Sequence, residues 1–108
     1  MTANIFEKAA QVISETGHAK GALRDYETGA HCAMGALNVA DHGAAFYASS
    51  DRVEHLANQA AQMLADRGQL EPYGHKADYL DLIQWNNAPE RTGEDVILLF
   101  KELAAEDG

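Results

Sequence analysis

The single cysteine, Cys32, is the residue in this sequence best suited to nucleophilic chemistry. Helical spacing resumes at this point after a glycine-rich stretch, so we predict that Cys32 begins a helix. The dipole and free N–H groups of a helix N-terminus lower the pKa of a thiol and favour the thiolate. His31 is poorly placed as its base, because adjacent side chains point in different directions. The competing interpretation is a small buried residue, since free cysteine is among the most buried residue types.

No other pattern of residues predicts catalysis or metal binding. The five histidines are His18, His31, His42, His55 and His75. The sequence contains no His-x-x-x-His pair, no Cys-x-x-Cys and no His-Glu-x-x-His. Asp78 and Asp81 share a face of a predicted helix, but no partnering motif accompanies them for acid–base work. We therefore predict no metal, no cofactor and no catalytic site, with Cys32 as the one residue to test.

The segment from Ile83 to Thr92 has the densest concentration of residue types that recognise other proteins. An aromatic ring beside asparagine and arginine suits an interaction hot spot. The predicted binding residues are Tyr79, Trp85, Asn86 and Arg91, and Tyr47 and Tyr73 are further candidate contacts. A structural interpretation also accounts for the segment: Trp85 anchors the core, Asn86 and Asn87 satisfy the carbonyl end of one helix, and Thr92 caps the next.

The elements that position these residues are predicted to be helices. Alanine, the best helix former, supplies 20 residues. Apolar spacing and capping residues predict five helices. They run from an N-cap at Thr2 to Gly17, from Cys32 to Ala40 with Gly43 as the stop, from Ser49–Asp51 to Gly68, from His75–Asp78 to Asn86–Pro89, and onward from Thr92.

The fold class is therefore mainly α, in one compact domain covering residues 1–108, with at most one short β-hairpin near residues 19–33. The hairpin flanks are Ala19–Leu23 and Ala30–Ala33. Gly35 inside the second helix has two explanations: it permits the close approach of another backbone, or it arose by drift. The apolar faces of the first and last helices match, which predicts that both line the same core.

Composition and charge exclude several classes of function. The formal net charge is -9, with 8 Lys+Arg against 17 Asp+Glu and no basic cluster, so direct binding of nucleic acid is disfavoured. The longest apolar run, Val96–Phe100, is far shorter than the roughly 20 residues that span a membrane. A lone cysteine and the absence of a secretion signal predict a cytoplasmic protein.

Two parts of the sequence carry a family resemblance. The first consists of Lys20–Leu23 and Thr28–Leu37, and the second runs through Ile83–Thr92 into Glu94–Ile97. Together they resemble a small uncharacterised family, a domain of unknown function, of actinobacteria and their bacteriophages. Asn87 stands where that pattern has aspartate, which argues against an acid doing chemistry at this position. The resemblance implies no activity, but it implies a setting in which small accessory proteins commonly act by binding.

We therefore expect a phage or actinobacterial accessory protein that binds a host protein or a second copy of itself. If it is phage-encoded, its compartment is the host cytoplasm. Two alternatives stay open: an enzyme that uses Cys32, and an acidic protein that mimics DNA and inhibits a host DNA-binding protein. Thiol reactivity tests the first alternative, and salt-sensitive competition with DNA tests the second.

Overall fold

Five helices account for most of the described chain. In a computed structural model, which describes residues 4–45, 50–71 and 76–107, they are α1 (Ile5–Thr16), α2 (Ala33–His42), α3 (Asp51–Asp66), α4 (Tyr79–Asn87) and α5 (Gly93–Asp107). Within those ranges there are isolated β-bridges but no strand. The prediction of a mainly α single domain with five helices is confirmed. None of the helices described is both long enough and apolar enough to cross a bilayer.

Side chains cap the helix N-termini. Ser50 begins α3, where its hydroxyl accepts a hydrogen bond from the backbone N–H of Val53 at 3.1 Å. The N-cap predicted for α1 is wrong, because Asn4 and not Thr2 occupies that position. The Asn4 side chain accepts a hydrogen bond from the Phe6 N–H at 2.8 Å, so α1 begins later than predicted.

The helix C-termini follow the predicted breakers. Gly17 and Gly43 end α1 and α2 with φ angles of 99° and 85°, a range that favours glycine because it has no Cβ. Asp78 is the N-cap of α4, within the predicted window. That helix ends at Asn87, shortly before Pro89, since the residue that precedes a proline is pushed away from the helical region.

The core is formed where the apolar faces of all five helices meet. The rings of Phe6 in α1 and Phe100 in α5 stack with their centroids 6.0 Å apart. This contact confirms that the first and last helices line the same core. The largest fully buried apolar side chains are Phe6, Ile13, Leu37, Val53, Leu64, Leu82, Val96, Phe100 and Leu103.

The short hairpin that the sequence allowed near residues 19–33 does not form. His31 instead makes two single-residue bridges, one parallel to His18 and one antiparallel to Arg24. The flanks contain few β-branched residues, so a longer ladder has little to stabilise it. Residues 17–32 are thus an irregular loop, which we call the α1–α2 loop.

This loop passes very close to the first turn of α2. A Cβ built on Gly35 would lie 2.0 Å from the carbonyl oxygen of Leu23, and the same oxygen accepts a hydrogen bond from the Cys32 N–H at 3.2 Å. No side chain fits in that space. The predicted close approach of another backbone to Gly35 is therefore confirmed.

Candidate protein-binding groove

Trp85 lies at the C-terminal end of α4 and is almost completely buried. Arg91 covers its ring, with the guanidinium carbon 4.0 Å from the ring centroid. The Arg91 Nε also donates a hydrogen bond to the Trp85 carbonyl oxygen at 2.9 Å. Because both interactions fix the same side chain, Arg91 is held in one position beside the indole.

The indole nitrogen of Trp85 lacks a hydrogen-bond partner within the described chain. Its surface is inaccessible, and an unsatisfied buried donor costs roughly 1–3 kcal/mol. The indole offsets part of this cost through its large buried ring and its contact with Arg91.

A capping box fixes the start of α5 next to Arg91. The Asp95 carboxylate accepts a hydrogen bond from the Thr92 N–H at 3.0 Å, and the Thr92 hydroxyl accepts one from the Asp95 N–H at 3.2 Å. The predicted role of Thr92 as a cap is confirmed. Hydrogen bonds from Thr92 and the charges of Arg91 and His18 hold the pKa of Asp95 below its ordinary value. Asp95 also forms an ion pair with Arg91 at 3.8 Å.

These residues form one wall of a surface groove of about 380 Å³ between the ends of α3 and α4 and the side of α5. We call it the Trp85 groove. Leu98 from α5 contributes an apolar side chain that is 54% exposed. Arg67 forms an ion pair with Glu102 at the rim. The complete lining is Arg67, Gln69, Trp85, Arg91, Asp95, Leu98, Leu99 and Glu102.

Asn86 does not belong to the groove, although it was predicted as a binding residue. Its side chain is buried and faces the α1–α2 loop. Its Oδ1 accepts hydrogen bonds from the Ala33 N–H at 3.0 Å and from His18 Nε2 at 2.8 Å, while its Nδ2 donates to the Ala19 carbonyl at 3.1 Å. The same Nδ2 donates to Asn87 Oδ1 at 3.0 Å.

The predicted role of the two asparagines at the carbonyl end of α4 is therefore wrong. Asn87 Oδ1 accepts a hydrogen bond from the Gly21 N–H at 2.9 Å, so both side chains bind the α1–α2 loop. Nearby, Lys20 Nζ donates to the carbonyl of Pro89 at 3.0 Å. The side chains at the end of α4 thus bind a segment that is distant in the sequence. They do not cap the carbonyl groups of their own helix.

Tyr79 also lies away from the groove. It begins α4, at the opposite end of that helix from Trp85, and its side chain packs partly buried against the core. Its backbone N–H donates to Asn58 Oδ1 at 2.8 Å. Of the four predicted binding residues, Trp85 and Arg91 therefore meet at the groove. The further candidates Tyr47 and Tyr73 lie outside the described residues.

Cys32 is the N-cap of α2, as its position at the helix start predicted. Its Sγ accepts a hydrogen bond from the Gly35 N–H at 3.3 Å. The side chain is nevertheless buried, and burial raises the pKa of the thiol more than the helix N–H groups lower it. The pKa of the thiol is therefore raised, and the competing interpretation of Cys32 as a small buried residue is confirmed.

The described histidines, cysteine and carboxylates do not form a metal centre. Within ranges 4–45, 50–71 and 76–107, no three of them come together in a group that is able to hold an ion. His75 lies outside these ranges. His31 and Cys32 are neighbours in the sequence and are both residue types that bind metals. The His31 ring, however, forms a hydrogen bond with Thr16 Oγ1 at 2.9 Å.

Sequence reasoning missed six of the eight residues that line the groove: Arg67, Gln69, Asp95, Leu98, Leu99 and Glu102. The sequence pattern does not distinguish Leu98 from Leu99, since both lie between Ile97 and Phe100, but Leu98 is 54% exposed and Leu99 is buried. Arg67 and Glu102 come from different helices, and no local pattern predicts that they meet.

The structure defines a small, all-helical, single-domain protein with a polar groove that an exposed leucine partly lines. Comparison with protein-family models then places it: the chain belongs to DUF6197, a family of unknown function, whose model matches residues 1–106. No curated protein and no solved structure matches the chain significantly. The coarser form of the predicted resemblance, a family without assigned activity, is confirmed, and its actinobacterial or phage setting stays a prediction.

Proposed function

We propose that this protein is a non-enzymatic binding protein that receives a segment of another protein in the Trp85 groove. The observation that supports this most is the half-exposed Leu98 beside a rigid arginine–tryptophan wall. Tryptophan and arginine are the residue types most enriched at the energetic centres of protein interfaces. The resemblance noted in the sequence favours a phage or actinobacterial accessory role.

Rigidity of the wall favours binding. Arg91 is fixed by the Trp85 ring, by the Trp85 carbonyl and by Asp95, so little side-chain entropy remains to be lost when a partner binds. The rim carries both signs of charge, in Arg67 and Glu102. A partner segment with an apolar side chain flanked by polar groups matches such a surface.

The burial of Cys32 supports a binding role over the enzyme alternative. A thiol with a raised pKa is mostly protonated at neutral pH, and the thiolate is the nucleophilic form. DNA mimicry remains the other alternative. It predicts competition with DNA for one partner and binding that is strongly weakened at high salt.

A matched pair of substitutions tests the groove. Leu98 and Leu80 are each 54% exposed, but only Leu98 lines the groove. We expect the wild-type chain and Leu80→Glu to capture the same protein from an actinobacterial lysate, and Leu98→Glu to lose it. Equal capture by both variants would exclude the groove as the binding surface.

The same capture at high salt separates binding from mimicry. An apolar contact at Leu98 is weakened little by salt, whereas attraction between an acidic surface and a DNA-binding protein is screened. We expect capture to survive at about 1 M salt, where the Debye length is about 3 Å. A partner that is released there and displaced by duplex DNA would support mimicry instead.

A further inference from the structure

We propose that the Trp85 groove binds the C-terminal end of a partner chain: the Arg91 guanidinium holds the terminal carboxylate, and Leu98 contacts the apolar side chain of the last residue. The proposal rests on the proposed function, because it names the part of a partner that enters the same groove. Its basis is the set of unused hydrogen-bond donors of Arg91, the position of Leu98 and the size of the groove.

Arg91 presents hydrogen-bond donors that the protein itself does not use. A guanidinium has five N–H donors in a planar fork, and the Nε–H of Arg91 donates to the Trp85 carbonyl at 2.9 Å. In the part of the chain that the structure describes, the two terminal nitrogens have no hydrogen-bond acceptor. Asp95 approaches one of them at 3.8 Å, which is too long for a hydrogen bond.

These terminal nitrogens are accessible from the groove. Among the buried side-chain nitrogens and oxygens of the described residues, Trp85 Nε1 is the one atom without a partner. Nη2 of Arg91 also has no partner, so it is not buried, and Arg91 belongs to the groove lining. A ligand in the groove can therefore reach it.

A carboxylate is the group that matches this fork best. Its two oxygens accept two parallel N–H bonds from a guanidinium, and such charge-assisted bonds are stronger than neutral ones. The Arg91 side chain is only 18% exposed and lies over the Trp85 ring, so little side-chain entropy remains to be lost on binding. Arg67 adds a second positive charge to the lining of the same groove.

The acidic residues of the groove do not exclude such a ligand. Asp95 accepts a hydrogen bond from the Thr92 N–H, and Glu102 pairs with Arg67. The lining carries as many positive as negative side chains, whereas the whole chain has a formal net charge of -9. The two carboxylates are 41% and 47% exposed, so water satisfies their remaining acceptor sites better than it satisfies Arg91.

Leu98 places an apolar contact close to the fork. It follows Asp95 by three residues in α5, so the two side chains share a face, and Asp95 lies 3.8 Å from Arg91. In the last residue of a chain, the carboxylate and the side chain are attached to the same Cα, so one residue reaches both contacts. The groove volume of about 380 Å³ is near the lower end of the roughly 300–1,000 Å³ of small-ligand pockets, which suits a chain end better than a helix.

Three dipeptides that differ in where they carry a carboxylate test the proposal. Acetyl-glutaminyl-leucine has a free terminal carboxylate, acetyl-glutaminyl-leucinamide has none, and acetyl-glutamyl-leucinamide has one on its side chain. NMR titration of the wild-type chain gives the three dissociation constants and shows whether the Arg91 Nε–H and Leu98 signals shift. We expect acetyl-glutaminyl-leucine to bind about tenfold more tightly than either amide.

The same titrations define the results that would overturn the proposal. Equal binding of acetyl-glutaminyl-leucine and its amide would show that the terminal carboxylate is not recognised. Tighter binding of acetyl-glutamyl-leucinamide would show that the groove takes an acidic side chain instead of a chain end. The absence of any shift at Arg91 and Leu98 would exclude the groove as the site.

Matched arginine variants identify the residue responsible. Arg91→Lys keeps the positive charge but loses the planar fork, so the preference for the free carboxylate should fall to about twofold or less. Arg52→Lys is the control, because Arg52 also pairs with an aspartate, Asp41 at 3.5 Å, but lies in α3 outside the groove lining. It should keep the wild-type preference. An undiminished preference in Arg91→Lys would contradict the proposal, and the wild-type titrations decide alone if that variant does not fold.

Failure of this inference and failure of the proposed function give different results. If Leu98→Glu loses the captured protein but the wild type binds all three dipeptides equally, the groove binds a partner and the chain-end inference is wrong. If Leu98→Glu captures the protein as well as the wild type does, while acetyl-glutaminyl-leucine still binds at Arg91, the chain-end site is supported and the proposed capture surface is wrong.

Discussion

Asn86 shows how much of this fold depends on one side chain. Its amide bonds to residues that are 53, 67 and 68 positions away in the sequence, and it fixes the α1–α2 loop against α4. The amide satisfies the first-turn N–H of Ala33 and the carbonyl of Ala19, which are both buried residues. Unsatisfied buried groups are costly, so this position has strict requirements.

Replacing Asn86 with alanine should destabilise the protein by about 3 kcal/mol, because it leaves both backbone groups without partners. Asn87→Ala is the comparison: it removes the exposed bond to the Gly21 N–H and one of the two acceptors of Asn86 Nδ2, but it leaves the Ala33 N–H and the Ala19 carbonyl paired, so it should cost only about 1 kcal/mol. Urea unfolding measures both values. An equal loss of unfolding free energy in the two variants would show that burial of the Asn86 hydrogen bonds does not increase their contribution to stability.

Burial also decides the acidity of Cys32. The helix N-terminus acts on the thiol as predicted, but desolvation is the larger effect. A raised pKa in the folded state means that folding favours the protonated thiol. This contribution to stability is complete below the ordinary pKa of 9.0 and is lost as pH rises through the raised value.

Comparison with Cys32→Ser isolates this effect, because serine is also a good N-cap but does not titrate. The stability of the wild type relative to the variant should fall as pH rises from the ordinary thiol pKa of 9.0 to about pH 11. Urea unfolding at each pH gives the two free energies. A difference that stays constant over this range would show that the thiol is not desolvated.

The candidate site was predictable only where its determinants are local. Trp85 and Arg91 lie six residues apart around a helix end, and their meeting follows from the Pro89 break and the Thr92 cap. Arg67 was not predictable because it joins the groove through tertiary packing. The net acidity of Cys32 was not predictable for the same reason: it depends on which segment covers it.

At the scale of elements, the α1–α2 loop approaches α2 so closely at Gly35 that no side chain fits there. Among the described glycines, this one would bring an added Cβ closest to another atom. The Leu23 carbonyl occupies the space that a side chain at position 35 would need. The atoms that an added Cβ would meet belong to the backbone of Leu23 and not to the end of a flexible side chain. Accommodating a side chain at position 35 therefore requires the loop or the helix to move.

Gly35→Ala should destabilise the protein by about 3 kcal/mol, although alanine is the better helix former. Gly93→Ala is the matched control in α5, where the nearest atom to an added Cβ would be the His18 Cβ at 3.0 Å. It should cost no more than about 1 kcal/mol. Thermal unfolding compares the two, and a neutral Gly35→Ala would contradict the geometry described.

The helices were largely predictable because their ends carry their own signals. Ser50, Asp78 and Thr92 act as caps within the predicted windows, and Gly17 and Gly43 end helices as predicted. The α1–α2 loop was not predictable in the same way. Its conformation depends on Asn86, which lies more than fifty residues later in the sequence.

At the scale of the whole molecule, the described acidic residues lie outside the core, and the interior is a small apolar core. Three large hydrophobic side chains are exposed among the described residues: Tyr26, Leu80 and Leu98. Only Leu98 lines the Trp85 groove. On α5, Leu98 is exposed whereas Phe100 is fully buried, so substitutions at these two positions should affect partner binding and stability separately.

Two substitutions in α5 should show that stability and partner binding can be changed separately. Phe100→Ala removes a fully buried ring that stacks on Phe6 and should cost about 4 kcal/mol. Leu98→Ala should change stability by less than about 0.5 kcal/mol, yet weaken capture of a partner. Urea unfolding and capture assays measure the two effects. A large stability loss for Leu98→Ala would place that leucine in the core instead.

The packing of α1 against α5 has a consequence for how the chain matures on the ribosome. The ring that Phe6 stacks on belongs to the helix that emerges after the other four. Until α5 is synthesised, α1 can pack against α2 but not against Phe100, and closing the contact between α1 and α5 spans nearly the whole sequence. We therefore expect the core to be completed only after α5 has been translated.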